Sequence, residues 1–196
     1  MNQFSLSQNI LTYHQYLILT ETLLAEGKTT GSDQSAEMLE YTRLNLHRMR
    51  RWDKTLQLLP EIVALAQTQE KQDWWVITEP WCGDSAQILP FINAIALASN
   101  GKIELKIILR DEHPDLMDQY LTNGTRGIPK LVAFSAKGEP LFVWGPRPAE
   151  TQQMVLNLKQ QPDYSYDKLK TEIHLWYSKN KGIALQAEFK EILSRN

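Results

Sequence analysis

The sequence predicts an α/β fold, a central mixed β-sheet of about four strands flanked by helices, with extra N- and C-terminal helices. Two observations carry this. Between residues 73 and 160 the apolar pattern runs strand, helix, strand, helix, hairpin, helix. Strands linked through helices pair in parallel, whereas a hairpin adds antiparallel edge strands. On either side of that block the pattern is helical only, giving a three-part division: a helical extension over 1–59, an α/β domain over 60–160 and a helical tail over 161–196 packed on the same domain.

Each element has its own signal. "LTYHQYLILTETLLAEG" reads as helical, and Gly27 with "KTTGSDQS" makes the first break. Ser32 or Ser35 can cap a second helix, with Glu37 and Glu40 near its start, where the helix dipole favours negative charge. Leu39, Leu46, Met49 and Leu56 give it a narrow apolar stripe, and Arg43, Arg48, Arg50 and Arg51 fall mostly off that stripe as a solvated face. Pro60 interrupts this run or opens a helix to about Gln69. "DWWVIT" (73–78) is rich in aromatic and β-branched residues, a buried strand with Trp74 and Trp75 in the core. "AQILPFINAIALAS" (86–99) is helical, "KIELKIILRD" (102–111) a strand, and "HPDLMDQYLTNG" (113–124) a short helix. "KLVAFSAKGEPLFVWG" (130–145) is a hairpin and "AETQQMVLNLKQ" (149–160) a helix. The tail reads as one helix or two divided near Gly182, with Tyr164, Trp176 and Phe189 as its docking face.

Composition excludes several classes. A formal charge of −2 over 196 residues argues against nucleic acid as a partner. No apolar stretch approaches the ~20 residues of a membrane span, and no signal-peptide pattern precedes the first helix. The single cysteine rules out an internal disulfide and suits a reducing compartment, so a cytoplasmic location is expected. His14, His47, His113 and His174 show no ligand spacing, so no metal is expected, and no phosphate loop or other motif calls for a cofactor.

The chemistry concentrates in "TEPWCGDSAQILP" (78–90). Trp81-Cys82-Gly83 stands at a strand-to-helix junction, Pro90 follows Cys82 by eight residues, and "TRGIPKLVAF" (125–134) leads into the hairpin. In this order the three segments resemble the thioredoxin family: the W-C-G opening of its active site, the proline that kinks its active-site helix, and its R-G-I-P-T-L segment. The resemblance covers about residues 60–160. It implies a thioredoxin fold, a cis bond at Ile128-Pro129, and a substrate-facing role for residues 125–130. Trp144, at the end of the last strand, could line the same groove.

A thiolate is the nucleophile of thiol–disulfide exchange, and the first turn of a helix, with free N–H groups and a positive dipole end, favours it. Cys82 is therefore the candidate nucleophile and Ser85 its hydrogen-bonding neighbour, with Trp81, Gly83, Asp84, Ile128 and Pro129 as candidate substrate contacts. The departures from the family pattern are specific. Ser85 replaces the second cysteine and cannot resolve a mixed disulfide. Asp84 replaces a proline and adds a charge that opposes ionisation. Val76 replaces the buried acid, and Ala86 a lysine. Two readings follow. The first is a one-thiol exchange protein whose mixed disulfide with a protein or low-molecular-weight thiol is cleaved by a second thiol. The second is a binding or scaffold module that uses the cis-proline groove without redox chemistry, Cys82 being unreactive. The helical additions pack over the sheet or form a homodimer surface.

Overall fold

The computed structural model describes residues 9–195. The beginning of the N-terminal stretch, residues 1–8, lies outside the described residues. Four strands, β1 (Gln72–Thr78), β2 (Ile103–Leu109), β3 (Lys130–Ser135) and β4 (Pro140–Trp144), form one sheet in the order β2-β1-β3-β4. β1 runs parallel to β2 and antiparallel to β3, and β3 pairs antiparallel with β4. This is the mixed four-stranded sheet of a thioredoxin fold.

The two-residue period of β1 divides the core. Trp75 and Ile77 face one side with Ile108, Leu116, Met117, Ile128 and Val132. Trp74 and Val76 face the other, a larger cluster made with the helices. Those helices are α1 (Tyr13–Ala25), α2 (Ala36–Thr55), α3 (Pro60–Thr68), α4 (Gly83–Ala98), α6 (Ala149–Lys159), α7 (Tyr166–Asn180) and α8 (Ile183–Arg195). Their starts are read from local chemistry. Thr12 and Gln15 form a reciprocal capping box on α1, and Ser35 and Ser165 cap α2 and α7 by accepting the N–H groups of Met38 and Lys168. Pro60 opens α3.

The structure departs from the sequence expectation in the 113–124 helix, which reduces to α5 (Pro114–Met117) between two 3-10 turns. Leu116 and Met117 are the only buried residues of that stretch, with Tyr120 packed partly against them, too few to support a longer helix. The tail is two helices, broken where Lys181 adopts a left-handed conformation and Gly182 presses against the Phe91 ring of α4. Phe189 of α8 is buried between Trp74 and Trp144, with ring centroids 5.6 and 5.2 Å away. Trp144 thus belongs to the tail's docking face, its indole N–H donating to Glu188 at 2.7 Å, and does not line the groove. Tyr164 is exposed and takes no part in docking. No helix among the described residues is long and apolar enough to cross a membrane.

Candidate thiol site

β1 delivers the chain at Thr78, and Glu79, Pro80 and Trp81 turn it into α4, for which Cys82 is the N-cap residue with φ −81° and ψ 116°. The turn closes when the Cys82 N–H donates to the Glu79 carbonyl at 3.1 Å. The Cys82 Sγ donates to the Ile128 carbonyl at 3.3 Å, next to the cis Ile128-Pro129 peptide. Helix start and proline loop therefore meet at the sulfur. Cys82 packs against the smaller apolar cluster and keeps partial exposure.

Burial, and second the neighbouring Asp84 carboxylate, push the Cys82 thiol up to about 11. The Ser85 hydroxyl and N–H, and the Arg147 guanidinium, act in the opposite direction without prevailing. The expected anion is thus a protonated thiol in this state: desolvation of a charge outweighs the helix-start amides. Ser85 is itself buried, and its Oγ accepts from the Thr78 hydroxyl at 2.7 Å.

Asp84 is not a free charge at a helix start. Its carboxylate is buried, lies 2.6 Å from Arg147 and accepts from the Tyr177 hydroxyl at 2.8 Å. Arg147 follows the cis Gly145-Pro146 peptide, and Tyr177 lies on α7. Gly83 has the His174 ring directly above it: a Cβ there would stand 3.0 Å from the imidazole Cε1. The tail therefore covers two of the expected substrate contacts, Gly83 and Asp84. Ile128 and Pro129 are also buried, while Trp81 is partly open and carries the Arg110 guanidinium 4.6 Å above its ring.

Three groups at the site depart from the sequence reading, two of them unassigned there and one given a different role. Val76 is core, but a buried acid stands three residues further on: Glu79 accepts from the Thr30 hydroxyl and from the Asp111 N–H at 2.8 Å, and burial pushes its pKa up to about 7. A carboxylate directly following a strand rich in aromatic and β-branched residues was the available signal. Lys130, expected to face substrate, is buried and donates to the Thr122 hydroxyl and, at 3.1 Å, to the Gly145 carbonyl, tying the proline loops together. His174 is the third; burial, then Arg48 and Lys170, lower its pKa to about 4. Among the described residues no group of three His, Cys, Asp or Glu side chains could hold a metal ion.

A thioredoxin-type sheet with a lone cysteine capping its first crossover helix, opposite a cis X–Pro bond, defines the class. A family model described as Thioredoxin matches residues 31–166. Thioredoxin 1 of Nostoc sp. is 33% identical over 84 residues, which cover 43% of this chain and 73% of that one. Thioredoxin of Porphyra purpurea is 32% identical over 85 residues, covering 43% and 74%. The chain belongs to the thioredoxin family, whose general role is thiol–disulfide redox chemistry. Two solved structures extend the likeness beyond the sheet: a protein of unknown function from Pseudomonas aeruginosa (15% identity, TM-score 0.53, 94% of this chain and 96% of that one) and an HIV epitope scaffold (17%, 0.53, 95% and 99%). At such identities they show that the fold, helical flanks included, recurs.

Proposed function

We propose that the protein performs one-thiol exchange through Cys82. The ionised sulfur attacks a disulfide, one new S–S bond joins Cys82 to the substrate, and the other substrate sulfur leaves as a thiolate. A second thiol then attacks the mixed disulfide and returns Cys82 to its reduced form. Ser85 steadies the sulfur, and Trp81, Ile128 and Pro129 form the side from which a protein or low-molecular-weight disulfide approaches. Gly83 and Asp84 act behind the sulfur rather than on substrate. In this reading the extension helices α1 and α2 and the tail helices α7 and α8 are covers over the 60–160 domain.

The single observation that supports the reading is the placement of the Cys82 Sγ at the N-cap of α4, 3.3 Å from the Ile128 carbonyl beside Pro129. With a thiol near 11, roughly one molecule in ten thousand is ionised at pH 7. Exchange is therefore slow at rest and speeds up when a partner lifts the cover. Incubation with oxidised glutathione followed by intact-mass measurement tests this. One glutathionyl adduct per chain is expected, faster at pH 10 than at pH 7, removed by excess reduced thiol and absent in Cys82→Ser. No adduct even at pH 10 would dismiss the reading.

The same raised thiol favours a second reading, a binding module with an unreactive sulfur. A partner captured equally by wild type and Cys82→Ser, with no adduct formed, would establish it.

A further inference from the structure

The outer face of α2 carries four arginines, and they are not equivalent. Arg43 pairs with Glu40 and Arg50 with Glu21. Arg48 and Arg51 form no ion pair among the described residues; both line a groove of about 650 Å³ between α2 and α7. Trp52 lines it from the α2 side and His174, Ser178 and Lys181 from the other, and no carboxylate lines it.

Three features mark it as a built site rather than a solvated face. Arg48 is partly buried, where a guanidinium without a counter-charge is costly; it donates from Nη1 to the neutral Asn45 Oδ1 at 2.8 Å. His174 Nδ1 is buried with no hydrogen-bond partner. Lys181 holds a left-handed conformation, φ 53°, that a glycine would adopt more readily, yet presents a cation to the groove. One half-buried cation, two exposed ones and an unpartnered histidine bordering one concavity suit an acceptor-rich anion.

We propose that this groove binds a small, multiply charged oxyanion, a phosphate- or carboxylate-bearing metabolite, held by Arg48, Arg51 and Lys181 with His174 as a further donor. This goes beyond the exchange chemistry and does not depend on it. The groove nevertheless has a route to the sulfur. Arg48 bonds Asn45, whose amide donates to the Pro80 carbonyl at 3.0 Å, two residues before Cys82, and a smaller cavity bordered by Arg48 and His174 reaches Trp81 and Gly83. An occupant of the groove is thus positioned to alter the rate at which Cys82 reacts.

Isothermal titration of the full chain with inorganic pyrophosphate and, separately, citrate tests the proposal. One saturable site per chain is expected with at least one of them; which one binds tells phosphate from carboxylate recognition. Affinity should fall about tenfold or more in Arg48→Gln/Arg51→Gln, which removes two charge-assisted contacts, and stay within twofold in Arg43→Gln/Arg50→Gln, which removes equal charge from the same helix. Lys181→Gly guards against misfolding: it relieves the backbone while deleting the cation, so affinity should drop with stability kept or raised. A second readout is the His174 ring proton in an NMR titration. The charges around that ring are Arg48 from α2, Lys170 on its own helix and Asp84, which is held by Arg147; a bound anion should move its midpoint upward from about 4. No saturable binding of either anion, or equal losses in the two double variants, would overturn the proposal.

Discussion

Cys82 and Asp84 are two residues apart, yet they belong to different proteins in a physical sense. The sulfur side of the α4 start looks toward Ile128 and Pro129 with the arrangement its family leads one to expect. The carboxylate side looks toward Arg147 and Tyr177, groups contributed by the last loop of the sheet domain and by a tail helix. One side keeps the geometry of a thiol beside a cis-proline loop; the other turns the space behind it into a structural junction. The difference teaches that a recognisable motif fixes the geometry of a sulfur without fixing its acidity, because acidity depends on what covers it. Here burial comes first and Asp84 second, and together they outweigh the hydrogen bonds that the motif supplies.

The largest effect is expected where the junction is cut. Arg147→Ala leaves Asp84 buried without its cation, a loss of about 3–5 kcal/mol in urea unfolding. If the loss is under about 1 kcal/mol, the two sides are not energetically distinct.

On the sulfur side the corresponding buried charge is Glu79. Its pKa is raised from 4.5 to about 7 on folding, so the folded state binds the proton more tightly than the unfolded state. The stability this contributes is present below about pH 4.5 and is lost as pH rises through about 7, a decline of about 3 kcal/mol. Glu79→Gln should flatten that decline. Melting temperatures measured from pH 4.5 to 8 would show it.

A smaller loss, about 1–2 kcal/mol, is expected for Tyr177→Phe, which deprives Asp84 of one donor but leaves the ion pair. The same variant should speed Cys82 alkylation by loosening the cover, with the inflection in rate against pH falling below about 11. An unchanged inflection would mean that the tail does not govern the sulfur. Finally, Ser85→Ala should slow alkylation only modestly, since its hydroxyl opposes a shift that burial dominates.

The sulfur side was legible because its determinants are local. Trp81-Cys82-Gly83, Pro90 and the Ile128-Pro129 pair are short words set among strands whose apolar runs announce themselves. The junction was not legible, for reasons of distance. Asp84 and Tyr177 are 93 positions apart, and a tyrosine on an amphipathic tail helix carries no mark of the carboxylate it will meet. The arginines of α2 show the same limit. Periodicity set the four mostly off the apolar stripe as one solvated face, but only the arrival of α7 separates Arg48, partly buried beside His174, from Arg43 in water. Glu79 was within reach: a carboxylate straight after Thr78, at the end of a strand buried along nearly its whole length, is an anomaly that burial alone could have flagged.

The Tyr177 contact has a consequence for biosynthesis. The ribosome delivers Asp84 long before it delivers the hydroxyl that will bond it, and Gly182, which seats on Phe91, later still. During translation Asp84 is therefore made without its tyrosine donor, and the junction behind the thiol closes only after α7 and the start of α8 have emerged.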